Sequence, residues 1–308
     1  MPEMKSNPVV YGNRFSRFTN KYFPYIAILP ALLVIILFTV YPVLYAIRIS
    51  VYQNLLTRPG INPFVGFQNF TNVINSYYFK TSMINTGTYT LFTVIGVMAF
   101  GMIVGLLMNT KLITTNALKI IILLPWAIPA VVAGLMWKWI LNTDFGILNS
   151  ILYSLGLVEY YIPFLSDPTL AKLSLILAHI WKEGPLAAIF ILSGLQLIPD
   201  ELYDSARIDG GNALKVYWYV TLPLLRPILL VVLVYETMIS ILTFDIVFVM
   251  TGGGPANATS LISWFAYAEI FRKLNLGHGI ALSIILALIT LILIIIYLRL
   301  IRTQESIV

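Results

Sequence analysis

The chain has no cysteine, only two histidines (His179 and His278) and few charges. Without cysteine there is no disulfide framework, no thiolate-ligated zinc and no thiol nucleophile. Two histidines are too few for a histidine-built metal cluster. Charged residues make up 10% of the 308 positions and apolar ones 59%. A soluble domain carries about 25% charged residues, and mean hydropathy here is +0.89. A water-soluble fold cannot hide that much apolar surface, so lipid is the solvent for most of the chain. The net charge of +6 does not point to nucleic acid, because the basic residues sit at the ends of apolar runs rather than along one stripe.

The apolar runs come in lengths that cross a bilayer, which takes about 20 residues in a helix. Uncharged stretches at 22–47, 81–110 and 274–298 give the first, second and sixth spans. Apolar stretches at 120–137, 171–197 and 225–250 give the third, fourth and fifth. The first is too long for a signal-peptide core, which is about 7–15 residues. The expected fold is therefore all-α and polytopic, with about six spans. Residues 1–21 form a cytoplasmic N-terminal segment and 22–308 the transmembrane domain. Pro24, Pro30, Pro42, Pro125 and Pro129 fall inside spans, where neighbouring helices can satisfy the freed backbone groups. Gly101 and Gly105, four apart, predict close approach of another helix.

Lys and Arg placement sets the expected orientation. With the N-terminus inside, the inner segments hold Lys5, Arg14, Arg17, Lys21, Lys111, Lys119, Arg207, Lys215, Arg226, Arg299 and Arg302. The outer segments hold Arg58, Lys80, Lys138, Lys172, Arg272 and Lys273. Eleven against six favours both termini inside.

Residues 198–227, between the fourth and fifth spans, are polar and longer than the usual connector of about 2–8 residues. Asp200, Glu201 and Asp204 suit the positive end of a short helix and Arg207 its negative end. Asp209-Gly210-Gly211 stops it, and Asn212 can cap a second short helix running to Tyr219. The expectation is helix, tight turn, helix on the cytoplasmic surface. Such an element either caps the bundle or docks a soluble partner.

Ionisable positions inside spans also need explaining, since a charge at the centre of a span costs roughly 2.5–3.5 kcal/mol on insertion scales. His179, Lys182 and Glu183 share one face of the fourth span, being i, i+3 and i+4. Glu236, Ser240 and Thr243 share a face of the fifth. Asp245 is half a turn out of phase with Glu236 unless that helix is broken. These residues either compensate one another or line a polar path. No G-x-x-x-x-G-K-[ST], H-E-x-x-H or G-x-S-x-G pattern occurs, and Gly252-Gly253-Gly254-Pro255 lacks the Lys-Ser/Thr of a phosphate loop.

Asp204-Ser205-Ala206, then Gly210, Val220 and Leu222-Pro223 fall at the spacing of a known signature. They resemble the Glu-Ala-Ala loop of the membrane subunits of binding-protein-dependent ABC importers. Gly66-Phe67-Gln68-Asn69-Phe70, Leu124-Pro125-Trp126-Ala127-Ile128-Pro129 and Trp181 with Pro185 resemble the carbohydrate branch of that family. So do Gly194-Leu195-Gln196 with Ile198-Pro199, Phe244-Asp245 and Thr251-Gly252-Gly253-Gly254-Pro255, in an order similar to permeases of the maltose-system F type. The resemblance implies a type I ABC importer fold and a non-catalytic subunit of an ATP-driven importer of a di- or oligosaccharide. It implies as partners a pair of ATPase subunits that bind ATP and magnesium, a second homologous permease, and an extracellular or periplasmic sugar-binding protein. No cofactor is expected in this chain. Asp200, Glu201, Asp204, Ser205, Ala206, Arg207, Asp209 and Gly210 would touch the ATPase. Trp126, His179, Lys182, Glu183, Ser240, Thr243 and Phe244 would line the sugar path. The alternative is a stand-alone secondary transporter or channel, in which Glu183, Glu236 or Asp245 carries protons. No internal repeat supports it, and a lone transporter has no use for an ATPase-docking loop.

Overall fold

The computed structural model describes Tyr25, residues 27–110 and residues 116–305. Lys5, Arg14, Arg17, Lys21 and Lys111, and the boundary expected at residue 21, lie outside the described residues. The chain divides into two compact units, Met1–Ile49 and Ser50–Val308. The described part of the first is apolar helix, α1 (Ala27–Ser50, ending in the second unit).

Along α1 the helix widens to a π-turn at Ile36–Val40, just before Pro42. Proline has no N–H and its ring collides with the carbonyl four residues back. The wide turn sends the Tyr41 N–H to the Ile36 carbonyl instead, which makes room for the ring.

The second unit is helical, with two isolated bridges and no strand among the described residues. Its elements are α2 (Gln68–Ile74), α3 (Tyr77–Met108), α4 (Asn116–Ala127), α5 (Ala130–Ile140), α6 (Ile147–Ser154) and α7 (Pro168–Leu195). Then follow α8 (Asp200–Ile208), α9 (Ala213–Val216), a π-turn (Tyr217–Thr221), α10 (Leu222–Leu242), α11 (Asp245–Met250), α12 (Ile262–Tyr267) and α13 (Leu276–Glu305).

Four expected spans appear as long apolar helices: α1, α3, α7 and α13. The fifth runs from Ala213 to Met250 and is broken at Thr243-Phe244. The third differs from expectation. Instead of one helix over 120–137, α4 and α5 meet at 95°. Pro129 is extended, with φ −55° and ψ 138°, and the residue before a proline is disfavoured in the helical region. Counting this bent pair as one span gives six.

The core is built on α3 and α7. A Cβ on Gly101 would lie 2.8 Å from Ala187 Cβ, and one on Gly105 would lie 3.0 Å from Ile191 Cγ2. The two glycines therefore allow close packing of α3 on α7, as their spacing predicts. Asp167 caps α7 by accepting from the Thr169 and Leu170 N–H groups, and Ser76 caps α3 by accepting from Phe79.

Candidate functional site

Two polar regions stand out from the apolar framework, and both involve α7 and α10. The first is the connection between those helices. No residue of α8 is buried. Pro199 starts it, Asp200 and Glu201 occupy its first turn and Arg207 its last, the charge order that the helix dipole favours. Asp204 accepts a hydrogen bond from Arg207 Nη1 at 3.2 Å, and Ser205 donates back to the Glu201 carbonyl. At the far end the Gly211 N–H reaches the Ala206 carbonyl at 2.9 Å and the Gly210 N–H reaches Arg207. Gly210 has φ +77°, a conformation open to glycine at little cost. Tyr203 is the inward-facing side chain. It packs on the buried cluster of Ile191, Leu195, Ile198 and Leu225 and so ties α8 to both α7 and α10. Ala206, Asp209, Gly210, Lys215 and Tyr219 border a shallow concavity of about 200 Å³ beside it.

Beyond the turn, Asn212 accepts from the Lys215 N–H, as expected. The second surface helix does not end at Tyr219. It continues through the π-turn Tyr217–Thr221 into α10, so Leu222-Pro223 extends a helix rather than starting one. Leu222 donates to the Tyr217 carbonyl just before Pro223, the same accommodation of proline seen in α1.

The second region lies inside the unit, where α3, α7 and α10 meet. His179 is its hub. Its Nδ1 is 2.9 Å from the Tyr89 hydroxyl, and its Nε2 is 3.3 Å from Ser240 Oγ and 3.6 Å from Glu236 Oε2. Thr93 donates to Ser240 Oγ at 2.9 Å. One turn further along α7, Lys182 Nζ and Glu183 Oε1 pair at 2.8 Å. His179, Lys182, Glu183, Glu236, Ser240, Tyr89 and Thr93 are all buried. The break in the fifth span does not bring Asp245 to this cluster. Glu236 is fully buried, whereas Asp245 is exposed at the start of α11.

Of the residues expected on a sugar path, the structure thus buries His179, Ser240, Lys182 and Glu183, joining His179 to Ser240 and Lys182 to Glu183. Trp126 is exposed in the last turn of α4, before the bend. Thr243 sits in the break and donates to the Ile239 carbonyl. Phe244 packs against Phe248, Trp264 and Tyr267, with ring centroids 5.0–6.1 Å apart. Arg272 stacks over Trp264 at 4.6 Å, and a Cβ on Gly253 would lie only 2.0 Å from Trp264 Nε1. Gly253, in the glycine run after α11, therefore serves close packing on Trp264.

Sequence reasoning missed Tyr89 and Thr93. The signal was a polar stripe on α3, with Ser82, Thr86, Tyr89 and Thr93 at helical spacing, inside a span read only for its hydropathy. It also missed Glu269, which is buried in the connection after α12. Burial alone would raise its pKa, but bonds from His278 and Lys273 outweigh this and hold the carboxyl below its usual range.

Residues 96–305 match the family described as the binding-protein-dependent transport system inner membrane component. The chain belongs to this family. The permease is 34% identical to the sulfoquinovosyl glycerol transport system permease of Agrobacterium fabrum, over 90% of this chain and 89% of that one. It is 34% identical to the trehalose/maltose transport system permease of Thermococcus litoralis, over 92% and 94% of the two chains. Among solved structures it resembles a bacterial ABC transporter involved in import of the acidic polysaccharide alginate. There the TM-score is 0.80 at 22% identity, covering 94% of this chain and 99% of that one. The family makes the permease a non-catalytic membrane subunit of an ABC importer.

Proposed function

We propose that the permease forms half of the membrane pathway of an ATP-driven sugar importer, with a second homologous permease as the other half. A pair of ATPase subunits, holding ATP and magnesium, engages α8 from the cytoplasm. A binding protein delivers a di- or oligosaccharide from outside. The observation that carries this reading is α8 itself: it has no buried residue, carries Asp200, Glu201, Asp204 and Arg207, ends at the Gly210 turn, and is anchored through Tyr203 to a cluster of α7 and α10 residues. A charged surface helix of this kind suits a protein partner better than a lipid-facing cap. The names of the relatives, which transport trehalose, maltose or sulfoquinovosyl glycerol, support sugar as the cargo class.

The orientation proposed has both termini and α8 in the cytoplasm. Because the chain has no cysteine, single cysteines can be introduced and labelled in whole cells. Asp204→Cys should react only after the membrane is permeabilised, and Glu159→Cys without it. The function is tested by reconstituting the chain with its candidate ATPase, second permease and binding protein, then measuring ATP-dependent uptake of a sugar panel. Uptake by this chain alone, driven by a proton gradient, would overturn the proposal in favour of a secondary transporter.

A further inference from the structure

We propose that α6 and the turn after it form an anchor in the lipid interface, with an aliphatic stripe resting on the acyl chains at the surface where α5 ends and α7 begins. Residues 141–167 connect the third span to the fourth, yet Phe145 to Val158 contains no charged residue. Phe145, Ile147, Ile151, Leu155 and Leu157 are each 49–67% exposed. Ile147, Ile151 and Leu155 recur at i, i+4 and i+8, so they form one stripe along the helix.

The opposite side of α6 fixes which way this stripe points. Asn149 is fully buried. Its Nδ2 donates to the Ile162 carbonyl at 3.0 Å, and its Oδ1 accepts from the Ile162 N–H at 2.9 Å. Leu148, Phe164 and Leu165 pack on the cluster that includes Leu141 and Leu175. Asn142 Oδ1 accepts from the Asp144 and Phe145 N–H groups and shapes the turn that leads into the helix. On the flank of the stripe, two serines turn their O–H groups back onto the helix. Ser150 donates to the Gly146 carbonyl and Ser154 to the Ser150 carbonyl. The inward side is thus pinned by hydrogen bonds and packing, and the stripe faces away from it.

Composition and continuity decide what covers the stripe. The surface helix α8 carries Asp200, Glu201, Asp204 and Arg207, which suits water or a soluble protein. An interface with a soluble protein has a polar rim, and a stripe without charge supplies none. Lipid already adjoins both ends, since residues 141–167 leave one span and enter another. Trp139, Tyr153 and Tyr160 are exposed, and such rings sit at the headgroup level with their polar edges toward water. Asp144 and Glu159 are exposed just outside the uncharged stretch, where the chain turns to water. No Lys or Arg lies between residues 141 and 167, so the occupant is the acyl region of a neutral lipid and no anionic headgroup is required. Seated there, α6 holds the end of α5 and the start of α7 at one depth in the membrane.

The test places nitroxide labels on Ile151→Cys, Leu155→Cys and Glu159→Cys, one at a time, in the full-length chain in phosphatidylcholine nanodiscs. Collision rates are measured with oxygen, which concentrates in lipid, and with a water-soluble nickel chelate. At residues 151 and 155 oxygen should dominate, at a depth of about 5–10 Å below the headgroup boundary, and at residue 159 the chelate should dominate. Replacing part of the phosphatidylcholine with phosphatidylglycerol should leave these ratios unchanged. Dominance of the chelate at 151 and 155 puts the stripe in water and overturns the proposal. Labels at 151 and 155 that neither reagent reaches put it against protein, a second copy of this chain included, and overturn it as well. If a cysteine variant does not fold, wild type is irradiated in phosphatidylcholine carrying a diazirine in its acyl chain. Adducts within residues 145–158 support the anchor, and their absence there while α3 is labelled overturns it. The same labels are read again in the complete transporter, where oxygen access at 151 and 155 should persist, and its loss on assembly assigns the stripe to a partner instead. None of these readouts depends on uptake, so their failure leaves the transport reading standing.

Discussion

The permease places charge in two opposite settings. Along α8, Asp200, Glu201, Asp204 and Arg207 are exposed, and their internal pairing is loose. Where α3, α7 and α10 meet, His179, Lys182, Glu183 and Glu236 are buried; Lys182 and Glu183 pair at 2.8 Å, and His179 Nε2 lies 3.6 Å from Glu236 Oε2. Exposed ion pairs contribute little to stability, so the charges of α8 are free to be chosen for a partner. Buried ones are held by their neighbours, and changing one strands another. The same residue types thus report on recognition in one region and on assembly of the helices in the other.

The sharpest way to break this contrast is His179→Ala. It takes a partner from the buried Tyr89 and Ser240 hydroxyls and opens a cavity, and should destabilise the chain by about 2–5 kcal/mol. Loss of folded protein in nanodiscs, followed by thermal unfolding, checks it. An undiminished melting temperature would mean the two regions do not differ as described. Gly101→Leu should come next. It forces α3 off Ala187 and should cost at least the 1–3 kcal/mol typical of overpacking, seen as poor accumulation in the membrane.

Gly210→Val probes the opposite pole. No atom would clash with its Cβ, but φ +77° costs a branched residue about 1–2 kcal/mol. The chain should still fold, while ATP-driven uptake in the reconstituted complex falls sharply. Asp204→Ala should leave the melting temperature unchanged and lower ATPase stimulation by cargo-loaded binding protein. The smallest effect expected is at Glu269. Its pKa is lowered in the folded chain, so its contribution to stability is present above the usual carboxylate range and lost as pH falls through the lowered value. Glu269→Gln should weaken this acid-side loss of stability, measured as melting temperature against pH.

Hydropathy alone located the long helices, because each apolar run outlasts the bilayer and no soluble fold competes for it. It could not show the 95° bend at Ile128-Pro129, since the run is equally apolar through the bend and proline in a span is compatible with a straight, kinked or broken helix. The α8 turn was legible to the residue. Acid-first charge order, Gly210 and Asn212 each have a local mechanism independent of tertiary context. The buried cluster was half legible. The helical spacing of residues 179, 182 and 183 revealed a shared face on α7, where Lys182 and Glu183 pair at 2.8 Å. What no single-helix pattern supplies is the facing side, so Tyr89 and Thr93 on α3 stayed hidden. Spacing likewise could not separate Phe244, which joins an aromatic cluster, from the polar residues just before it.

The join at Tyr217–Thr221 has a mechanical consequence. Since helix continues from Ala213 to Leu242, its 30 residues make a strut roughly 45 Å long at about 1.5 Å per residue. Its foot stands beside α8, and its shaft carries Glu236 and Ser240 past His179. About 5° of tilt at the foot displaces the far end by roughly 4 Å over that length, more than a hydrogen bond's reach. The two-residue break at Thr243-Phe244 ends the strut there, and Phe244 just beyond it packs in the aromatic cluster.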